Sequence, residues 1–227
     1  MVHPNLNGHC NGLSHTDDLG DAHIATSAHT PMRPEAFEMP DEQKIKRISE
    51  HFSQIMHILG LDLKDDSLSG TPQRVAKMYV NEIFRGLNPA NKPAITTFEN
   101  KYQYAGLVIE RNIPVQSTCE HHFQPIFGVA HVAYVPNGRV IGLSKLNRIV
   151  QYYAKRPQVQ ERLTIQIAED LRKTLKTNDV AVIIDAEHCC VSTRGIQDAG
   201  ASTITAQYFG KFEQSDMRAE LWKMIKN

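Results

Sequence analysis

From Asp41 onward the apolar residues recur first with a helical period, then with a strand period, then with a helical period again. Ile45, Ile48, Phe52, Ile55 and Leu59 fall every three or four residues, which places them on one face of an amphipathic helix ended by Gly60. A second helix is expected after Gly70, with Thr71 as its N-cap and Pro72 in the first helical position. Its stripe runs through Val75, Tyr79 and Ile83 and stops at Gly86. Residues 87–101, with Pro and Asn, read as a connection.

The period then changes to two. Leu107 to Ile109 and Ile113 to Val115 predict one strand with an interruption. Phe127, Val129, His131, Ala133 and Val135 share one face of the next strand, and Pro136-Asn137-Gly138 turns it into Val140 to Leu143 as a hairpin. Ser144 is expected to cap a helix carrying Leu146, Ile149, Val150 and Tyr153. Pro157 separates it from a second helix bearing Val159, Leu163, Ile167, Leu171 and Leu175. Strands at Val180 to Ile184 and Thr203 to Phe209 and a short helix over Asp216 to Ile225 complete the pattern. Strands grouped around a helix pair, without strand–helix–strand alternation, indicate an α+β fold with a mainly antiparallel sheet.

Residues 1–40 are of another kind, rich in His, Asn, Gly, Ser, Thr, Asp and Pro. They are expected to form a disordered leader. His3, His9, His15, His23, His29 and Cys10 fall there, and their irregular spacing favours a solvated segment over a metal-binding tail. The expected organisation is this leader, a helical segment over 41–100 and a strand-rich domain over 101–227.

Charge adds mainly exclusions. The 227 residues carry 25 basic and 25 acidic side chains, so no global field draws the chain to nucleic acid or anionic lipid. No apolar run approaches the ~18 residues of a membrane span, and no secretory signal pattern opens the chain. The cytoplasm is the expected compartment. There, cysteines beside histidines point to metal or catalysis rather than to disulfides.

Such residues cluster twice, as Cys119-Glu120-His121-His122 and as His188-Cys189-Cys190. Two thiolates and an imidazole suit zinc with one coordination position open to water. Cys119 and His122, three apart, can point the same way. If the strand before His188 stays extended, period two puts His188 and Cys190 on one face and Cys189 on the other. Cys190 is then the third ligand, whereas an earlier strand end would free the choice. His121 or Glu120 could also close the fourth position, giving a structural rather than a catalytic metal. Each cluster alone could equally be surface histidines or buried small thiols.

Ser144-Lys145-Leu146-Asn147-Arg148 opens a helix, where free N–H groups and two basic side chains can cradle an anion. A capped helix with a solvated basic face reads the same way. Arg194 follows soon after Cys190, Arg74 lies in the second helix, and Glu161 sits about one turn into its own helix. Glu161 is either a favourable charge near a helix N-terminus or a carboxylate for the paired N–H donors of a guanine edge.

Taken together, Ser117 to His122, Gly142 to Val150, Arg156 to Leu163 and His188 to Val191 followed by Arg194-Gly195 closely resemble the bacterial-type GTP cyclohydrolase I family over roughly residues 41–227. The resemblance implies the tunnelling fold, an antiparallel sheet with helices packed on one face, in a toroidal homodecamer with active sites at subunit interfaces. It implies one zinc ion per subunit on Cys119, His122 and Cys190, and catalytic roles for His121 and His188. It implies guanine binding by Glu161 with Gln160 beside it, and triphosphate binding by Ser144, Lys145, Arg148, Arg194 and Arg74. The implied reaction is hydrolysis of GTP at purine C8 and rearrangement to 7,8-dihydroneopterin triphosphate with release of formate, the entry to tetrahydrofolate and related pterins. The chain departs from the family pattern in Cys189, in the partly matching segment 197–207, and in its leader. A related tunnelling-fold enzyme or a zinc-stabilised assembly protein are the competing readings.

Overall fold

A computed structural model describes residues 27–226. His3, His9, Cys10, His15, His23 and the leader up to residue 26 lie outside the described residues. Residues 27–40 form no helix or strand, and Lys44 sits over the ring of Phe37 at 5.8 Å.

Helix α1 spans Asp41–Ile58, with Asp41 and Glu42 favourably placed in its first turn. A single helical turn, α2 (Asp66–Ser69), follows; Asp65 caps it by accepting from the Ser67 N–H at 2.9 Å. Helix α3 covers Thr71–Met78. Its N-cap is Gly70 rather than Thr71, because the Thr71 hydroxyl accepts from Arg74 at 2.9 Å instead of turning back to the helix start. The helix widens into a π turn over Tyr79–Ile83 and tightens through short turns at Arg85–Leu87 and Pro89–Asn91.

The strands are β1 (Thr97–Glu99), β2 (Val108–Cys119), β3 (Pro125–Tyr134), β4 (Arg139–Ile141), β5 (Pro157–Gln158), β6 (Val180–His188) and β7 (Thr203–Tyr208). Five of them form one sheet in the order β5-β2-β3-β6-β7, antiparallel except where β5 meets β2. The expected interruption in β2 is a bulge between Glu110 and Ile113, where Asn112 takes a φ of +58°. The expected hairpin does not form. Both edges of β3 are taken by β2 and β6, so β4 leaves the main sheet and pairs with β1, from Thr97 opposite Ile141 to Glu99 opposite Arg139. Arg139 secures that pair by donating to Thr97 Oγ1 at 2.7 Å.

Two long helices, α4 (Leu143–Ala154) and α5 (Gln160–Leu175), cover one face. Gly142, not Ser144, occupies the N-cap of α4, and its carbonyl accepts from Lys145 at 2.8 Å. Ile126, Ala130, Val132 and Tyr134 of β3 pack under these helices with Leu146, Ile149, Leu163, Ile167 and Leu171. The opposite face is shorter: Ala133, Val135, Ala181 and Ile183 meet Phe212 and Leu221, the latter from α7 (Ser215–Lys226). Gly86 docks the helical segment onto this domain. Its N–H donates to the Lys155 carbonyl at 2.9 Å, and a Cβ there would strike the Tyr152 carbonyl.

Candidate functional site

Strand β2 ends at Cys119, and a tight turn carries the chain into β3. The turn closes through Cys119 N–H to the Gln124 carbonyl at 2.8 Å and Phe123 N–H to the Cys119 carbonyl at 2.9 Å. Phe123 takes a φ of +53° to allow it. This lifts Glu120, His121 and His122 off the same sheet end at which β6 finishes. There His188 lies opposite Ile126, and the chain coils at once into a helical turn, α6 (Cys189–Ser192). The coil brings Cys190 to Cys119 and His122, and the three ligand atoms lie within 4.8 Å of one another. Cys190 is thus the thiol that joins the cluster, but through a helical turn rather than an extended strand.

The donor set fits zinc. Tetrahedral Zn–S and Zn–N bonds of about 2.0–2.3 Å hold donors nearly 4 Å apart, which small side-chain rotations reach from here. Burial and the neighbouring Cys119 push the Cys190 thiol up to about 11, while Arg194 acts in the opposite direction.

The surrounding groups are held in a definite order. Arg162 is 4% exposed, and both its terminal nitrogens reach Glu120 Oε2, at 2.7 and 2.6 Å. The other Glu120 oxygen is 3.9 Å from His121 Nε2, while His121 Nδ1 is 3.9 Å from Cys119 Sγ. His188 Nε2 lies 2.7 Å from Gln160 Oε1. Burial lowers the His188 pKa, and the nearby Glu161 carboxylate partly opposes that. Arg194 is close enough to favour the Cys190 thiolate. Cys119, His121, His122, Gln160, Glu161, His188, Cys190 and Arg194 therefore gather at one end of the sheet.

Ser144, Lys145 and Arg148 do not join them. Helix α4 runs alongside β2 in the same direction: Asn147 donates to Glu110 near the start of β2 at 3.1 Å, and Ser117 near its end donates to the Arg156 carbonyl at 3.4 Å. From Glu110 to Cys119 is nine residues of strand, on the order of 25–30 Å at ~3.3 Å each. The basic turn and the cysteine cluster lie at opposite ends of it. Arg148 instead lines a cavity of about 590 Å³ with Arg85, Asn91, Gln151 and Tyr152. Arg74 is engaged locally, donating to the Ser67 carbonyl at 3.2 Å and to Thr71.

Sequence reasoning missed Arg162 and the threonines around Gln160. Arg162 stands beside Glu161 in an ordinary helical charge pattern, and only the fold turns it inward onto Glu120.

An antiparallel sheet backed by two helices on one face, with two cysteines and a histidine converging at its end, defines an α+β protein of the tunnelling-fold class. A sequence model described as GTP cyclohydrolase I matches residues 48–226. The chain is 55% identical over 210 residues to GTP cyclohydrolase 1 of Flavobacterium johnsoniae, covering 92% of this chain and 94% of that protein. It is 52% identical over 208 residues to GTP cyclohydrolase 1 of Citrobacter koseri, covering 91% and 94%. The chain belongs to the GTP cyclohydrolase I family. Among solved structures, the apo form of an archaeosine synthase QueF-Like matches 46% of this chain and 93% of its own, at 18% identity and a TM-score of 0.39.

Proposed function

We propose that this chain is a zinc-dependent GTP cyclohydrolase I. It hydrolyses GTP at purine C8 and rearranges it to 7,8-dihydroneopterin triphosphate with release of formate, the first step of tetrahydrofolate and pterin biosynthesis. The observation that carries the reading is the convergence of Cys119, His122 and Cys190 within 4.8 Å beside the half-buried His188.

Cys119, His122 and Cys190 would hold one zinc ion, which would supply a Lewis acid able to lower the pKa of water toward neutrality. Glu161 accepts the paired N–H donors of the guanine edge and so sets the purine against His188. His188 gives a proton to the imidazole ring nitrogen of the purine, which makes C8 more electrophilic, and His121 moves protons beside it. Each such acid–base role is worth roughly 10²–10⁴-fold in rate. Arg194 holds the triphosphate from the cysteine side, where its charge is already felt at Cys190.

Ser144, Lys145, Arg148 and Arg74 bind the triphosphate from a neighbouring subunit. The length of β2 between the two halves supports this, because one chain cannot close them around one nucleotide. The assembly is a cytoplasmic toroidal homodecamer. Two further features support self-association. Ile58 at the end of α1 and Leu59 just after it are 81% and 72% exposed, and among the described residues β7 forms an open sheet edge. Among the described residues no helix is long and apolar enough to cross a membrane.

Supplying GTP to the zinc-loaded protein tests the proposal. Formate and a pterin that fluoresces after oxidation are the expected products; zinc-loaded, folded protein that makes neither would sink it.

A further inference from the structure

Gln160 opens α5, is 2% exposed, and makes its side-chain bonds to the protein itself. Its Nε2 lies 3.1 Å from the Ile184 carbonyl, 2.7 Å from the Thr203 carbonyl and 3.2 Å from Thr205 Oγ1. Backbone carbonyls only accept, so the amide nitrogen has to face them and the amide oxygen has to face away. That oxygen is 2.7 Å from His188 Nε2. An amide oxygen likewise only accepts, so the hydrogen of this bond sits on His188 Nε2.

The threonines fix the same direction. Thr164 Oγ1 donates to the Gln160 backbone carbonyl at 2.8 Å and lies 2.6 Å from Thr205 Oγ1. With the Thr164 proton committed, Thr205 donates to Thr164, and its lone pair is left to accept from Gln160. A chain of bonds thus runs from β7 through α5 to the histidine with the direction of each bond fixed, the two Nε2 hydrogens being shared among three acceptors.

We propose that Gln160 is a positioning residue that fixes the tautomer of His188, Nε2–H toward Gln160 and Nδ1 toward the substrate, rather than a contact to guanine. The inference rests on the reading of His188 as the proton donor. The proton passed to the purine then leaves from Nδ1, while Nε2–H stays with Gln160; the ring returns to its neutral form and Nδ1 is reprotonated from water. A neutral imidazole with the opposite tautomer would turn a bare Nε2 on the amide oxygen and lose its bond to Gln160. Thr203 and Thr205, in a segment with no other assigned part in the chemistry, acquire one through this network.

The tautomer is measurable without turnover. In nitrogen-15 histidine-labelled wild-type protein at about pH 8, above the ordinary imidazole range, the His188 signals are those absent from His188→Asn. The expected pattern is a pyrrole-type shift at Nε2 and a pyridine-type shift at Nδ1. Hydrogen on Nδ1, or a mixture of the two forms, overturns the proposal. This readout uses protein without GTP, so it stands apart from whether GTP is the substrate. In kinetics, Gln160→Met is expected to retain zinc and lower kcat on the order of 10²-fold while KM for GTP stays within about threefold. A raised KM with unchanged kcat would make Gln160 a guanine contact and overturn the assignment.

Discussion

Arg162 places both terminal nitrogens on a single oxygen of Glu120, leaving the second oxygen directed at His121. The two partners differ in their access to water: the Arg162 side chain is 4% exposed and that of Glu120 is 20%. Removing either strands the other's charge, at a cost of about 3–5 kcal/mol for a fully buried pair. Glu120 can recover part of its hydration and Arg162 cannot. Urea denaturation should therefore show Glu120→Ala to be more destabilising than Arg162→Ala. The reverse order would mean that the pair is already hydrated.

A second titratable group sits away from the cluster, on the β3 face that meets α7. His131 Nδ1 accepts from the Asn112 N–H at the β2 bulge, 3.4 Å away. Burial lowers the His131 pKa, with Arg111 acting the same way and Asp185 opposing. The unfolded chain, near 6.5, takes up this proton before the folded one does. The contribution is therefore complete above about pH 6.5 and is lost as pH falls through the folded value. Stability measured from about pH 7.5 down to about pH 5 should fall less steeply in His131→Gln, which keeps an acceptor for Asn112 but does not titrate. Equal slopes would remove His131 from the acid response.

The proposed division of the site between chains predicts complementation. Lys145→Ala and His188→Ala each disable one half of a site, so each assembly alone should be inactive. Unfolded together and reassembled at equal ratio, they should recover about a quarter of wild-type activity, because each interface site draws its halves from two chains at random. No recovery, in mixed assemblies shown by mass to contain both chains, would place the whole site within one subunit.

Much of this was legible in the sequence because periodicity reports burial. The helices around Ile149 and Ile167, the strands at Val129 and Val182 and the bulge in β2 follow from it directly. What failed was whatever depends on which partner a backbone finds. Nothing local tells Val140 that both edges of β3 are taken, and the three residues of β1 are too few to show alternation. The two helix starts moved for a related reason: glycines at 70 and 142 supply the cap positions, and the hydroxyls of Thr71 and Ser144 lie one and two residues inside. Cys190 does lie with Cys119 and His122, but for a different cause. Period two selected it over Cys189, yet β6 stops at His188 and a helical turn delivers the thiol. The Gln160 network was invisible for the plainest reason, since its members lie on α5, β6 and β7 and meet only in the folded sheet.

The central claim is that water opens the purine at C8 and expels that carbon as formate. GTP labelled with carbon-13 at C8, incubated with the zinc-loaded protein and followed by carbon-13 NMR, tests it most directly. The label is expected to move into formate, one for each pterin formed. Label that stays in a nucleotide while GTP is consumed would contradict it.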